Sequence, residues 1–361
     1  MSEWKEYELG QIVTFQRGHD LPKSKMVSGQ FPVAGSNGVI GSHSDFTTKG
    51  PGLTIGRSGN IGTPHFYSTD FWAHNTVLYI KDFKGNNEKF IYYFLKTFDF
   101  KQFNTGSAVP SLNRNHIHQL LVTIPSLSEQ KSIALVLSSL DDKISLLNRQ
   151  NETLEKMADT LFKKWVVEDA DETWEEKPLS SIAKFLNGLA CQKFPPKNEV
   201  DKLPVLKIKE LGSGISNNSD WASTDIKPEY IVRNGDVIFA WSASLMVKIW
   251  NGKECILNQH LFKVTSDQFP KWFYYLWCKQ HLAEFISKAH SHATTMGHIK
   301  RGDLDTALVI IPPADKLETM NKVMTRFIDK LVTNYNQITT LTNLRDTLLP
   351  KLMSGEVRVK M

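Results

Sequence analysis

WKEYELGQIVTFQRG (4–18) and WEEKPLSSIAKFLNG (174–188) share Trp4/Trp174, Glu6/Glu176, Leu9/Leu179, Ile12/Ile182, Phe15/Phe185 and Gly18/Gly188, all at an offset of 170. Such a repeat outranks local propensity in reading a fold, because each copy is expected to build the same unit. Further on, FIYYFLK (90–96) is echoed by WFYYLWC (272–278) at an offset of 182. SAVPSLNRNHIHQLLVTIP ends at Pro125 and TTMGHIKRGDLDTALVIIP ends at Pro312, an offset of 187. The drift implies insertions in the second copy, where loops absorb them.

After each copy the hydrophobic period changes. Ile133, Leu137, Leu140, Ile144, Leu147, Asn151, Leu154, Ala158, Leu161 and Trp165 alternate steps of four and three, a heptad seam. An offset of 187 turns them into Met320, Met324, Phe327, Leu331, Asn334, Ile338, Leu341, Arg345, Leu348 and Leu352. Ser128 before Glu129 and Gln130, and Asp315 before Glu318, read as helix starts, the latter with capping-box spacing. Each helix is expected to run roughly 35–40 residues, about 50–60 Å. A stripe that long needs a partner, and the other copy's helix is the nearest. A pseudo-two-fold relation between the copies predicts antiparallel packing with the globular blocks at opposite ends. Asn151 and Asn334 interrupt the seams at different heights, either as buried register-setting amides or as exposed positions where the seam frays.

Composition narrows the class. The chain has 361 residues, 41% hydrophobic and 22% charged, enough for two or three domains. No apolar run approaches a membrane span, and MSEWKEYELG lacks the apolar core of a signal peptide. Cys191, Cys255 and Cys278 are odd in number and far apart, which suits a reducing compartment and points to the cytoplasm. The net charge of +5 is unevenly spread: residues 1–125 carry 12 basic and 9 acidic groups, 126–173 carry 6 and 10, 174–312 carry 17 and 14, and 313–361 carry 8 and 5. Two mildly basic blocks flank an acidic connector, a distribution that permits nucleic-acid binding.

Within the blocks, PGLTIGR (51–57), NTVLYIKD (75–82), GDVIFAW (235–241) and HLFKVTS (260–266) read as strands, and the aromatic runs at 90–98 and 272–277 as packed helices rather than base-stacking platforms. GRSGNIG (56–62) follows a strand but is neither a dinucleotide fingerprint nor a phosphate loop, so Arg57, Ser58 and Asn60 project from a tight turn. AWSASLMVK (240–248) stands there in the second block, with Ser242, Ser244 and Lys248. RGHDLPKSK (17–25), GSNG (35–38) and LNQH (257–260) are further polar loops, the first two adding Arg17, Lys23 and Asn37. HSHATTMGHIKRG (290–302) clusters His290, His292 and His298, but spacings of two and six in a broken segment are poor for zinc, and the corresponding stretch of the first copy has no histidines where His290 and His292 stand. What the copies share there is a donor-rich loop: Ser111, Asn113 and Arg114 in one, His298, Lys300 and Arg301 in the other. Donors of this kind suit phosphate and base-edge contacts. Glu175, Lys177 and Asp171 mimic a metal-nuclease signature too short to carry weight. No methyltransferase tetrapeptide, helicase phosphate loop or Ser-His-Asp arrangement is present. A metal-dependent nuclease built on the 290–301 cluster is the rival reading.

Taken together, the block opening Trp-x-x-x-x-Leu, IPSLSEQKSI, LEKMADTLFKKWVVE and the final LRDTLLPKLMSGEVRV make the chain resemble the specificity subunit of a Type I restriction–modification system over nearly its whole length. The departure is IPPADKLETM, where Asp315-Lys316-Leu317-Glu318 replaces the usual Glu-Gln. The resemblance implies an α+β fold: target recognition domains at 1–125 and 171–312, and long helices at 126–170 and 313–361 (with the C-terminal tail) forming an antiparallel coiled coil. It further implies a non-catalytic subunit whose domains each read one half of an asymmetric, split site in double-stranded DNA, with the helix pair as a ruler. Two methyltransferase subunits and, in the full complex, endonuclease/translocase subunits are the implied partners. S-adenosylmethionine, ATP and magnesium belong to those partners, with no cofactor or metal in this chain.

Overall fold

The computed structural model describes residues 4–103, 111–291 and 297–359. Two compact units divide the chain: Met1–Lys143 with Leu341–Met361, and Ile144–Thr340.

In the first unit the core sheet is antiparallel, in the order Thr14–Arg17, Val77–Asp82, Gly52–Gly56, Pro64–Tyr67. Gly38–His43, Phe31–Gly35 and Trp72–Ala73 form a second, three-stranded sheet. Lys5–Glu8 pairs with Leu121–Ile124 and closes the unit. Phe15, Leu53 and Ile55 from the sheet pack with Phe90 and Phe94 of the helix Glu88–Leu95, so the aromatic run is core, as expected. Ile133 and Leu137 of the first long helix and Leu352 of the second join the same core.

The second unit repeats the plan. Its sheet runs Lys184–Asn187, Leu261–Thr265, Val237–Ala240, Met246–Ile249, each strand the repeat counterpart of one in the first unit. Glu175–Pro178 pairs with Leu308–Ile311, and Trp272, Phe273 and Trp277 of the helix Lys271–Gln280 are buried against it. The identical glycines have a common cause: a Cβ on Gly18 would lie 2.0 Å from the His74 carbonyl oxygen, and one on Gly188 2.2 Å from that of Asn258. Only glycine lets the backbones approach so closely. Glu175 and Lys177 pair with each other on their strand, and Asp171 caps a turn through Thr173, so the nuclease-like triplet is structural.

The two heptad stretches form helices of 36 and 41 residues, Leu127–Phe162 and Ala314–Ser354, the second one residue longer than expected. Each contributes one part to each unit. In the first unit Asp141 binds Arg345 at 2.7 Å and Glu129 binds Arg358, so partner numbers fall as the chain advances and the segments run antiparallel. The first helix begins at Leu127 with Glu129 in its first turn, close to the start expected at Ser128, and Glu129 and Gln130 also act as ties. Gln130 Nε2 donates to the Pro125 carbonyl and to Asn86 Oδ1, and its Oε1 accepts from Asn87 N–H. Leu317, which stands in the place of Gln130 in the second copy, packs against the apolar core of its unit, a physical account of the departure there.

The seam asparagines correct the reading of their heights. In the second unit Asn334 Nδ2 donates to Asn151 Oδ1 at 2.8 Å, with the two residues 0% and 4% exposed. In an antiparallel pair, different offsets along the two sequences become one level.

Candidate nucleic-acid interface

In the first unit the chain leaves the strand Gly52–Gly56 at Arg57, whose N–H donates to the Thr76 carbonyl (2.8 Å) and whose carbonyl accepts from Leu112 N–H (2.8 Å). Ser58 and Ser111 make an isolated β-bridge beside it, and Gly59 follows with φ +83°. The turn is thereby stitched to the segment that starts the helix Arg114–His118.

The same stitching recurs in the second unit. Ile299 N–H donates to the Trp241 carbonyl at 3.1 Å, Ser242 bridges His298, and Ala243 follows with φ +55°. The helix Arg301–Thr306 begins just beyond. Residues separated by 53 to 58 positions are thus brought together in the same way in each copy.

Side chains distinguish the two stitched sites. Gln16, Arg17, Arg57, Ser111, Asn113 and Arg114 surround an open cleft of about 510 Å³ in the first unit. Arg17 Nη2 binds Asp20 Oδ1 at 3.2 Å, Asn75 also donates to Asp20, and Arg57 Nη1 donates to the Asn75 carbonyl at 3.2 Å. Asn113 caps its helix by accepting from Asn115 N–H. Burial, then the charges of Arg114 and Lys84, hold His118 below the ordinary histidine range, and its Nε2 accepts from Phe15 N–H at 3.0 Å. Three guanidiniums against one carboxylate make this a cleft for anions.

In the second unit Trp241 occupies the place of Arg57 and Asn187 that of Arg17. Trp241 Nε1 donates to Asn187 Oδ1 at 3.2 Å; its ring stacks on Phe262 at 5.6 Å and lies 5.8 Å from His260 and 6.3 Å from His298. His260 Nδ1 lies 3.2 Å from Ser242 Oγ and its Nε2 3.3 Å from Gln259 Nε2. Lys300 N–H donates to Asp303 Oδ2 at the start of the helix that Arg301 opens.

Of the residues singled out from sequence, Arg17, Arg57, Ser58, Ser111, Asn113 and Arg114 gather in the first unit, and Ser242, His298, Lys300 and Arg301 in the second. Asn60 is exposed two residues beyond Ser58, and Asn37 sits on the hairpin turn whose Ser36 Oγ would lie 3.9 Å from a Cβ on Gly59. Ser244 is exposed on the turn after Ala243. Lys23 lies apart, exposed on the short 3-10 turn Lys23–Lys25. Lys248, on Met246–Ile249, donates to the carbonyls of Leu211 and Gly212 and is not brought to the Ser242 cluster. Sequence reasoning missed Trp241 and Asn187, although applying the offset of 184 that aligns Ser58 with Ser242 residue by residue sets Arg57 against Trp241; Gln259 and His260 lie in the polar loop LNQH noted from sequence. His290 is exposed on the helix Leu282–Ser291, and His292 lies outside the described residues. Among the described residues no group of three or more His, Cys, Asp or Glu side chains is placed to hold a metal, and no helix is long and apolar enough to cross a membrane.

A family model described as Type I restriction modification DNA specificity domain matches residues 1–156 and 171–344, one match per repeat. The chain is 29% identical over 308 residues to the Type I restriction enzyme MjaIX specificity subunit of Methanocaldococcus jannaschii, covering 76% of this chain and 70% of that one. It is 19% identical over 327 residues to the HindI specificity subunit of Haemophilus influenzae, covering 69% and 71%. Among solved structures, the S subunit of the Type I restriction–modification system from M. genitalium matches 100% of this chain and 97% of its own with a TM-score of 0.65 at 15% identity, a likeness of fold. None of these comparisons supports the metal-dependent nuclease reading.

Proposed function

The chain belongs to the Type I restriction–modification DNA specificity family and is a specificity subunit of such a system, and from that premise we propose that its two stitched sites each read one half of a split, asymmetric site in double-stranded DNA. The observation that carries the reading is the doubled stitch, Leu112 N–H to the Arg57 carbonyl and Ile299 N–H to the Trp241 carbonyl, holding different side chains in the same local frame. A shared frame gives both halves the same approach to the duplex, and unlike side chains give them different sequences. Half-sites about one helical turn apart, on the order of 34–36 Å, place two readers on one face of DNA. The paired long helices set that separation and dock two methyltransferase subunits, with endonuclease/translocase subunits joining the full complex.

The chain works in the cytoplasm and contributes recognition without bond-making chemistry. S-adenosylmethionine, ATP and magnesium are requirements of its partners. The test is selection from a pool of random duplexes by the chain assembled with its methyltransferase subunits. Enrichment of one motif with two unlike halves and an unread gap supports the reading. Binding that enriches no motif refutes it.

A further inference from the structure

The two stitched sites share one charged residue and differ in another. Arg114 and Arg301, 187 positions apart, are each the first residue of the helix beyond the stitch, and both are exposed. At the end of the strand, by contrast, the position held by Arg57 in one copy is held by Trp241 in the other. Phosphates are the same in every sequence and base edges are not, so a contact wanted at both half-sites falls to the common residue and discrimination to the residue that differs.

Resting on the DNA-reading proposal, we infer that Arg114 and Arg301 hold backbone phosphates, that Arg57 selects guanine in one half-site, and that Trp241 selects thymine in the other. Arg57 has its backbone fixed at both N–H and C=O, and one guanidinium N–H is taken by the Asn75 carbonyl. The remaining donors still form a fork that matches guanine O6 and N7. Arg17 beside it is held by Asp20, which leaves Arg57 as the base-seeking guanidinium. Trp241 has a single polar atom, and Asn187 takes it. What the indole has left to offer is apolar surface, and in the major groove the apolar mark is the thymine methyl. Stacked on Phe262 and flanked by His260, the ring is already fixed, so contact costs little further ordering.

The experiment uses the chain assembled with its methyltransferase subunits and a duplex carrying the motif selected from the random pool. Replacing guanine by 7-deazaguanine removes N7, and replacing thymine by uracil removes the methyl. The expected result is sensitivity to 7-deazaguanine in one half-site, relaxed in Arg57→Ala, which removes every donor of the side chain. The lost preference for guanine is roughly 5- to 150-fold. In the other half-site uracil weakens binding about fourfold, and Trp241→Ser abolishes that difference. Arg114→Ala and Arg301→Ala weaken all sequences alike, each lowering the salt slope by about one. A two-part motif whose halves ignore both analogues, or an Arg57 variant that keeps its guanine preference, overturns the base assignment and leaves the DNA-reading proposal standing. An Arg114 or Arg301 variant that changes base preference overturns the phosphate assignment. A pool that returns no two-part motif instead removes the proposal on which the inference rests.

Discussion

Replacing Asn334 by leucine and then both Asn334 and Asn151 separates a register device from a plain stabilising contact. Both residues lie within the seam of the Ile144–Thr340 unit, at 0% and 4% exposure, joined by one hydrogen bond of 2.8 Å. The pair is incompletely satisfied: Asn151 Nδ2 and Asn334 Oδ1 have no protein partner, and Gln150 approaches Asn334 only at 3.5 Å. In Asn334→Leu the Asn151 amide is left buried with no partner for its oxygen either, a penalty of about 1–3 kcal/mol. A unit of roughly 200 residues loses about 2–4 °C per kcal/mol, so a 2 kcal/mol penalty lowers its melting temperature by about 4–8 °C. Asn151→Leu/Asn334→Leu removes both amides and buries apolar surface in a seam flanked by Leu147 and Leu154, so it melts at or above the wild type. Calorimetry of these two variants and of Asn151→Leu closes the double-mutant cycle, with a coupling of about 1–3 kcal/mol expected. A double variant that loses the sum of the two single losses refutes the argument, because it would make each amide stabilising in its own right.

Three further outcomes follow from local geometry. Ala243 holds φ +55° where the first copy has Gly59 at +83°, so Ala243→Gly stabilises its unit by about 0.5–1 kcal/mol, measurable by denaturant titration. His118 is held below its ordinary range mainly by burial; unfolding restores its proton affinity, so its contribution is complete above about pH 6.5 and is lost as pH falls towards the folded value. Melting curves of the wild type then decline below about pH 6.5, and His118→Gln, whose amide oxygen replaces the acceptor for Phe15 N–H, declines less. Inserting one heptad into each long helix lengthens the pair by about 10 Å, or about three base pairs, and the selected DNA gap should grow accordingly.

Much of the architecture is written in the chain because it is written twice. Trp4, Leu9, Phe15 and Gly18 and their partners at offset 170 mark equivalent strands, and the four-three alternation from Ile133 and Met320 marks the helices, since local periodicity reports the buried face directly. The two stitched sites were less legible. Arg57 and Ser111 meet through a bridge between segments more than fifty residues apart, and no local pattern announces such a contact. Lys248 shares a loop-like stretch with Ser242, yet it falls in a strand and is engaged by the carbonyls of Leu211 and Gly212. Trp241 reads as a core aromatic by composition, and only its alignment with Arg57 in the repeat makes it a recognition candidate. The meeting of Asn151 with Asn334 depends on the antiparallel register, which neither helix encodes alone.

The central claim is that one chain carries two unlike readers in equivalent frames. It is tested most directly by co-expressing the chain with its methyltransferase subunits in an unmodified host and mapping the modified bases across the genome. The account predicts a single two-part motif with different halves and a constant gap, and loss of sequence preference in only one half when Arg57 is replaced. A continuous motif, two identical halves, or relaxation of both halves together in the Arg57 variant would contradict it.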